Sequence, residues 1–251
     1  MEEIIYYDSI DSTNLEAKRR IDQGATDGTL IVAKEQTKGR GRRGRSWQSK
    51  AGDSLLMSLI LQPDLEPDRA SMLTLVQALS VRKAVEKITG KETKIKWPND
   101  ILLENKKVCG ILTEMFLKPE GGFYVVIGTG VNINQREFPK EIEEIATSMK
   151  LAALRKENFQ VSQVMEEVCK AFKEYYDKFL TKRDLSLVRE EYNKHLINKE
   201  QQVKVLDPRG EYFGKAHGIN SMGELLVEDE TGEIRHVSSG EVSVRGIYGY
   251  V

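Results

Sequence analysis

The stretch TLIVAKEQTKGRGRRGRSW, residues 29–47, joins a predicted strand to an unusual loop. The short apolar run at its start predicts a buried strand over residues 29–36. The strand leads into three glycines and four arginines at residues 39–45, which we call the Arg/Gly loop. Such a loop gains nothing for folding, because glycine costs backbone entropy and adjacent arginines repel one another. Its composition therefore indicates a binding site for an anion.

Three functional interpretations of the Arg/Gly loop compete. Gly39, Gly41 and Gly44 have the spacing of a dinucleotide-binding loop, but that motif must open a helix and residues 45–54 are poor helix formers. A nucleic-acid patch with Trp47 stacked on a base needs a basic face, whereas 38 basic residues are balanced by 39 acidic ones. We favour a mobile clamp, in which glycine backbone wraps a ligand, arginines neutralise its phosphate, and the loop becomes ordered on binding.

The segments on either side of this stretch predict further regular elements. Residues 3–10 have the pattern of a strand. Thr13 and Glu16 match a T-x-x-E capping box that opens a helix, and Gly24 is a natural end for it. The apolar run SLLMSLIL, residues 54–61, predicts another strand.

The middle of the chain predicts a long helix followed by a strand-rich block. Within residues 68–90 apolar side chains recur at helical spacing, and Gly90 is the expected end of the helix. Residues 93–116 and 121–133 have the composition of strands, with a tight turn at Asn105.

The last part of the chain changes from helices to short strands. Helices are predicted over residues 141–150, 161–181 and 184–197. From Gln201 onward, short strands are separated by turns such as Pro-Arg-Gly at 208–210, which is the pattern of a small antiparallel barrel. We therefore expect a domain boundary near residue 198.

The overall composition restricts where the protein works. A chain of 251 residues with 39% hydrophobic and 31% charged residues is typical of a soluble globular protein. The first ten residues carry acids where a signal peptide carries bases, and the run at 54–61 is too short to span a bilayer. We therefore expect a cytoplasmic protein with no membrane partner.

Cys109 and Cys169 lack metal-ligand spacing, so we expect buried small side chains rather than a zinc site or a disulfide.

Five segments, taken in order, resemble biotin protein ligases over essentially the whole chain. They are DSTN at 11–14, EQTKGRGRRGRSW at 35–47, KWPND at 96–100, KKVCGILTE at 106–114 and GTGVNIN at 128–134. Each motif is weak alone, and the ordered set is specific. The resemblance implies an α+β fold, with a class II synthetase-like catalytic domain of mixed sheet and flanking helices over residues 1–198. A small SH3-like β-barrel over residues 199–251 follows it.

The resemblance also implies a reaction and its residues. Biotin is activated with ATP and Mg²⁺ to biotinoyl-5′-AMP, pyrophosphate is released, and biotin passes to a lysine of a biotin carboxyl carrier protein. Attack of a carboxylate on a phosphate needs fixed cations, for which Lys107 and Arg42 are the catalytic candidates. The implied biotin-binding residues are Ser12, Thr13, Asn14, Gln36, Gly39, Arg40, Gly41, Arg42, Lys107 and Gly110. The implied ATP- and adenylate-binding residues are Arg40, Arg42, Arg43, Trp47, Lys107 and Asn132, and Asp100 is the candidate metal ligand.

Some expectations remain open within this resemblance. Ser12, Thr13 and Asn14 also suit a plain helix start, and Asp100 suits either a magnesium ion or orientation of the loop. The early position of the S-T-N motif leaves no room for the N-terminal helix-turn-helix of some family members, so we expect no DNA binding. Family members often dimerise through a sheet extension, so the resemblance implies a homodimer. The competing functions are a lipoate protein ligase-like acyl-adenylating enzyme and a non-catalytic nucleotide or nucleic-acid binding module.

Overall fold

In the computed structural model, residues 3–118, 121–207, 210–239 and 243–246 are described. These residues form a mixed seven-stranded sheet, the large sheet, and a five-stranded antiparallel sheet, the small sheet. The predicted α+β class is confirmed by this architecture.

The elements of the larger, N-terminal part have the following bounds. Its strands are β1 (Glu3–Ile10), β2 (Thr29–Gln36), β3 (Ser54–Leu61), β4 (Thr93–Lys96), β5 (Asp100–Leu103), β6 (Lys106–Leu117) and β7 (Phe123–Asn132). The helices are α1 (Thr13–Asp22), α2 (Met72–Thr89), α3 (Met149–Ala152), α4 (Val161–Lys182) and α5 (Arg189–His195). The small sheet contains β8 (Gln202–Asp207), β9 (Gly210–Ile219), β10 (Leu225–Asp229), β11 (Ile234–Val237) and β12 (Ser243–Gly246).

The large sheet has the strand order β1-β2-β3-β7-β6-β5-β4. β1 and β2 run parallel, and each later neighbour pairs antiparallel. The register sets Leu56 of β3 opposite Gly130 of β7, and Gly130 opposite Gly110 of β6. Two glycines on neighbouring strands therefore lie side by side near the centre of the sheet.

Helices cover both faces of β3, which explains why that strand is apolar at nearly every position. Alternate residues such as Leu55 and Met57 belong to the core shared with α2 and α4. Ile60 packs in a smaller cluster on the other face with Ala17 of α1. A strand buried on both faces gives a continuous apolar run rather than an alternating one.

The longest predicted elements are confirmed. α2 and α4 lie where the apolar spacing places them, and Gly90 ends α2 with a left-handed φ of 68°. Gly24 follows the end of α1 with a φ of 87°, and Asn105 turns between β5 and β6 with a φ of 60°. Cys109 is fully buried, as expected, while Cys169 is partly exposed, and both thiols are free.

The predicted helix over 141–150 is wrong, because tertiary hydrogen bonds take its backbone. α3 contains only Met149–Ala152. Upstream, the backbone N–H of Lys107 donates to the Ile145 carbonyl at 2.8 Å, and the Thr147 N–H donates to the Lys107 carbonyl at 2.9 Å. Residues 139–146 form a turn, in which the Ala146 N–H donates to the Ile142 carbonyl at 2.8 Å, and pairing with β6 at Lys107 prevents this turn from continuing as a helix.

Two further details differ from the predictions. The helix predicted over 184–197 is limited to Arg189–His195, because Leu196 instead forms a bridge to Ile95 of β4. The T-x-x-E capping box is wrong: the N-cap of α1 is Ser12, and no side chain caps the helix. The Glu16 carboxylate instead accepts from Arg19 at 2.7 Å and pairs with neighbouring polar groups.

The small sheet confirms the predicted change to short antiparallel strands after Gln201. Of the turn predicted at 208–210, Pro208 and Arg209 lie outside the described residues. Residues of the small sheet such as Val203 and Val205 join the same core cluster as α2. The domain boundary near residue 198 stays a prediction. Among the described helices, none has the length and apolar character needed to cross a membrane.

Trp97 connects the two sheets. Its side chain is 2% exposed, its backbone N–H donates to Asn198 Oδ1 at 2.9 Å, and its Nε1 donates to the Gly223 carbonyl at 3.1 Å. Trp97 therefore joins the β4–β5 corner to the turn before β10.

We expect Trp97→Phe to destabilise the protein by about 1–3 kcal/mol, because the Gly223 carbonyl loses a buried donor. Urea unfolding followed by far-ultraviolet circular dichroism measures the free energy of unfolding. A urea unfolding curve with unchanged midpoint and slope would show that the hydrogen bond from Trp97 to Gly223 does not stabilise the protein. Trp47→Phe is the matched control, because the chain contains two tryptophans and Trp47 Nε1 has no hydrogen-bond partner among the described residues.

Candidate active site

Two adjoining cavities lie beside the Arg/Gly loop, and Trp47 and Lys107 line both of them. The inner pocket has a free volume of about 50 Å³, and the outer cavity one of about 670 Å³. The predicted site residues that line the inner pocket are Ser12, Thr13, Asn14, Gln36, Arg40, Gly41, Arg42, Trp47, Lys107 and Gly110. Asn132 lines the outer cavity. Most of the predicted site residues are therefore brought together by the fold.

The floor of the inner pocket is a polar network at the start of α1. The backbone N–H and the hydroxyl of Thr13 both donate to Gln36 Oε1, at 2.7 and 3.0 Å. Ser58 Oγ lies 2.8 Å from Thr13 Oγ1 and 2.6 Å from Asn14 Oδ1. Ser12, the N-cap residue of α1, makes no side-chain capping bond, and the side chains of Thr13 and Asn14 are used in this network, so the S-T-N motif does not act as a plain helix cap. A buried floor of fixed donors and acceptors suits a neutral polar ring.

Three glycines form one wall of the inner pocket. A Cβ atom on Gly128 would lie 2.0 Å from Asn14 Oδ1, and one on Gly130 would lie 2.6 Å from Trp47 Cε2. A Cβ on Gly110 would lie 3.0 Å from Trp47 Cζ3. Glycine at these positions therefore allows Asn14 and the indole of Trp47 to approach the sheet closely. Gly128 and Gly130 were not predicted as site residues, although two glycines spaced by two within a buried strand are the signal that marks them.

The Arg/Gly loop forms a small hairpin. Arg40 bridges to Ser46, and the Trp47 N–H donates to the Gly39 carbonyl at 2.9 Å. Arg43 sits at the tip with a left-handed φ of 57°. A Cβ on Gly39 would lie 2.3 Å from the Trp47 carbonyl oxygen, so glycine is required where the two sides of the hairpin meet. No helix follows the hairpin before β3, which excludes the dinucleotide-binding interpretation.

The arginines of the loop point to different places. Arg40 Nη1 lies 3.1 Å from Glu114 Oε1. Arg42 donates to Asn99 Oδ1 at 3.2 Å and to the Ser239 carbonyl at 2.5 Å. Burial lowers the pKa of the Arg42 guanidinium, and the neighbouring arginines act in the same direction, while Asp100 opposes them.

Arg45, to which the sequence analysis assigns no role, lines the outer cavity, whereas Arg43 does not. Arg43 is exposed and lines neither the inner pocket nor the outer cavity, although it was predicted to bind the nucleotide. Arg45 lines the outer cavity instead, together with Lys107 and Arg136. The hairpin explains this, because its tip turns Arg43 away and its returning side directs Arg45 toward the cavity.

Lys107 stands where the two cavities meet. Its ammonium lies 2.6 Å from Asp100 Oδ1 and 5.7 Å from the centroid of the Trp47 ring. Nearby, burial lowers the pKa of Lys96 to about 8, partly offset by Asp100. Asp100 is therefore the anionic centre of a group of cations, and Lys107 is the cation of that group that reaches both cavities.

Asn132 is held rigidly at the edge of the outer cavity. It is 5% exposed, its Nδ2 donates to the Thr147 carbonyl at 3.1 Å, and its Oδ1 accepts from Gln135 Nε2 at 3.1 Å. The outer cavity thus combines a fixed amide, the Trp47 indole and the basic side chains of Arg45, Lys107 and Arg136. This combination suits an aromatic base that carries phosphates.

Comparisons with known proteins agree with this arrangement. Residues 6–132 match the Biotin/lipoate A/B protein ligase family, and residues 200–245 match the biotin protein ligase C terminal domain. A bifunctional ligase/repressor of Bacillus subtilis is 37% identical over 96% of this chain and 74% of its own length. A biotin–[acetyl-CoA-carboxylase] ligase of Mycobacterium tuberculosis is 36% identical over 55% of this chain and 51% of its own length. The solved biotin protein ligase of Aquifex aeolicus, in complex with biotin and ATP, superposes with a TM-score of 0.85 at 33% identity, covering 98% of this chain and 100% of that one.

The position of the Trp47 indole depends on the glycine wall of the inner pocket. We expect Gly130→Ala to displace the indole, because the new methyl group would lie 2.6 Å from Trp47 Cε2 on a backbone fixed by two neighbouring strands. Acrylamide should then quench the fluorescence of Trp47 more strongly. The Trp47→Phe protein gives the fluorescence of Trp97 alone, which is subtracted. Unchanged quenching in a folded Gly130→Ala protein would show that the wall does not position the indole.

Proposed function

The chain belongs to the biotin/lipoate A/B protein ligase family, and we propose that its reaction takes place where the inner pocket and the outer cavity meet. The protein is an ATP-dependent biotin protein ligase, which the named biotin ligases among its relatives and the biotin- and ATP-bound structure support. It converts biotin and ATP to biotinoyl-5′-AMP and pyrophosphate. It then transfers biotin to a lysine of a biotin carboxyl carrier protein.

We place biotin in the inner pocket and ATP in the outer cavity. The free volume of the inner pocket, about 50 Å³, is far below the roughly 300–1,000 Å³ of a small-molecule site, so the Arg/Gly loop and Trp47 must move outward before biotin enters. The ureido ring of biotin is neutral and polar, which suits the network of Thr13, Asn14 and Gln36. The adenine ring would lie by Trp47 and Asn132, with its phosphates toward the cations of the outer cavity. The biotin carboxylate and the α-phosphate then meet beside Lys107, the cation that both cavities share.

The position of Lys107 is the single observation that carries this proposal. In the first step, a carboxylate oxygen of biotin attacks the α-phosphorus, and the bond from phosphorus to the bridging oxygen of pyrophosphate breaks. Both reacting groups are anions, so a fixed cation between them stabilises the transition state more than the separated substrates. Asp100 and the backbone pairing with residues 145–147 hold Lys107 in place before substrates bind.

The Arg/Gly loop is proposed to protect the product of the first step. Biotinoyl-5′-AMP is a mixed anhydride that water hydrolyses, so the loop must exclude solvent until the acceptor arrives. Arg42 is positioned over the inner pocket by Asn99 and by the carbonyl of Ser239, which follows β11 of the small sheet. In the second step the neutral amine of the carrier lysine attacks the acyl carbon. AMP leaves, and the amine loses a proton as the amide forms.

Magnesium is proposed to enter with the nucleotide. Among the described residues, no group of three or more histidine, cysteine, aspartate or glutamate side chains could hold a metal ion. The Asp100 carboxylate, our candidate ligand, already pairs with Lys107 at 2.6 Å. Magnesium is commonly held by substrate phosphates, water and one or two carboxylates, where it neutralises phosphate charge. We therefore assign the phosphates of ATP as its principal ligands.

Several finer expectations belong to the proposal. We expect a cytoplasmic protein, and the balance of 38 basic and 39 acidic residues gives it no overall basic character that would attract DNA. The outer part of β6 supports a homodimer. Beyond Ile111, β6 pairs only with β7 among the described strands, so its other edge is open. Met115 and Leu117 on that segment are 43% and 75% exposed. An open strand edge with exposed apolar side chains is suited to pairing with another sheet.

Pyrophosphate release tests the proposed function and its specificity. With ATP and Mg²⁺, we expect release that depends on biotin and trapping of the acyl-adenylate by hydroxylamine. Release with lipoate but not with biotin would assign the protein to the lipoate ligase activity. Binding of nucleotide with no release for either acid would instead support a non-catalytic module.

We expect Lys107→Met to lower the rate of adenylate formation by about 100- to 1,000-fold, the loss typical of removing a group that stabilises a transition state. Lys106→Met is the matched control, because Lys106 is its sequence neighbour and donates to the Glu143 carbonyl at 3.1 Å on the surface. Equal losses in the two variants, or no loss in Lys107→Met, would contradict the catalytic role.

Arg42→Gly should release the adenylate before transfer, because the loop loses its contacts to Asn99 and Ser239. Freed adenylate would then acylate surface lysines on other proteins without selection. Mass spectrometry of a mixture containing bystander proteins measures this labelling. Labelling confined to the carrier lysine, at an undiminished rate of adenylate formation, would show that Arg42 does not retain the adenylate.

A further inference from the structure

Glu114 on β6 joins the floor of the inner pocket to the Arg/Gly loop. One carboxylate oxygen, Oε2, accepts a hydrogen bond from Asn14 Nδ2 at 2.7 Å. The other, Oε1, lies 3.1 Å from Arg40 Nη1. The Glu114 side chain therefore contacts both a buried residue of the pocket floor, Asn14, and a residue of the Arg/Gly loop, Arg40.

The contact on the floor side is rigid. Asn14 is 4% exposed, and its Nδ2 also lies 3.3 Å from the Leu112 carbonyl. Both partners of Nδ2 are acceptors only, while Asn14 Oδ1 accepts from Ser58 Oγ at 2.6 Å, so the orientation of the amide is determined. Gly128 leaves the room that this orientation needs.

The contact on the loop side is open to solvent. The Arg40 side chain is 45% exposed, whereas that of Glu114 is 22% exposed. Arg40 can therefore leave while the carboxylate stays on Asn14. The hairpin has its other anchor at Arg42, on the side facing the small sheet. The ion pair of Arg40 with Glu114 thus holds the hairpin at its biotin-facing end.

We propose that Glu114 is a positioning residue, which holds the Arg/Gly loop closed over the inner pocket by tying Arg40 to the Asn14 amide. This inference rests on the proposed function, since the loop closes over biotin and its adenylate. Glu114 contacts no reacting atom in this arrangement. Through its contacts with Arg40 and Asn14, Glu114 increases the time for which the adenylate stays bound under the loop.

Substitutions at Glu114 separate its two contacts. Glu114→Gln keeps an oxygen that accepts from Asn14 but removes the charge that attracts Arg40. We expect adenylate to escape about two- to fivefold faster, the range that one solvent-exposed ion pair supports. The KM for biotin should stay near that of the parent protein. Glu114→Ala removes both contacts and should also raise that KM by about tenfold or more, because a hydrogen bond to a charged group is lost.

The chain offers a matched control in Glu167. The Glu167 carboxylate pairs with Lys87 at 2.7 Å, and its side chain is 25% exposed, close to the value for Glu114. That pair joins α2 and α4 away from both cavities. Glu167→Gln should therefore leave adenylate retention unchanged while removing a comparable ion pair.

The test measures two quantities in the full chain. The first is the rate at which hydroxylamine traps preformed biotinoyl-5′-AMP, for Glu114→Gln, Arg40→Gln, the double variant and Glu167→Gln. The second is the rate of trypsin cleavage at the exposed arginines of the loop without substrate, for Glu114→Gln and Glu167→Gln. We expect faster trapping and faster cleavage in Glu114→Gln, and a double variant no faster than the faster single variant.

Either of two results would overturn the inference. One is a Glu114→Gln protein that matches Glu167→Gln in both rates. The other is a double variant whose effect is the product of the two single effects, which would show that Arg40 and Glu114 act independently. If the parent protein forms no adenylate, the proposed function fails. The cleavage rates, which need no substrate, still decide whether Glu114 holds the loop.

Discussion

The ion pair between Lys107 and Asp100 is the interaction on which the rest of the site depends. A ligase of this kind must bring a carboxylate against a phosphate, so it needs a positive charge that is already in place when the two anions meet. A lysine at the junction of two cavities meets this need only if its flexible side chain is held. Asp100 provides the opposite charge at 2.6 Å, and residues 145–147 fix the Lys107 backbone through hydrogen bonds of 2.8 and 2.9 Å.

The large sheet provides the space in which this cation can work. Adjacent glycines on β6 and β7 lower the surface of the sheet, and the indole of Trp47 lies in the depression. The same indole separates the inner pocket from the outer cavity, so one packing contact determines both compartments. The absence of side chains at Gly110 and Gly130 is therefore required for the position of the indole. Their cost to strand stability is offset by pairing on both sides, since β7 lies between β3 and β6.

The sequence predicts well the elements whose stability comes from their own pattern. α2, α4 and β3 bury long apolar faces, and their positions follow from spacing alone. It predicts poorly the segments whose backbone bonds to distant strands. Residues 141–150 have helical periodicity, yet the bonds that decide their structure go to Lys107, more than thirty positions earlier. The capping box failed for a similar reason, because Thr13 bonds to Gln36 and Glu16 pairs with arginines of its own helix. The motif residues of the inner pocket were predictable as a set, whereas the turn that directs Arg45 rather than Arg43 toward the outer cavity was not.

The density of arginine in the loop is explained by where each side chain goes. Four like charges within six residues would repel one another in an extended loop. The hairpin separates them: Arg40 goes to a carboxylate on β6, Arg42 to an amide and a carbonyl oxygen, Arg43 to solvent and Arg45 to the outer cavity. Burial lowers the pKa of the Arg42 guanidinium, and the positive charges of Arg43 and Arg45 lower it further, while Asp100 opposes them. A phosphate that enters the site would offset the positive charge of these arginines. The charges of Arg42 and Arg45 would therefore add to the ion pair of Arg40 with Glu114 in favouring the closed loop once the nucleotide is bound.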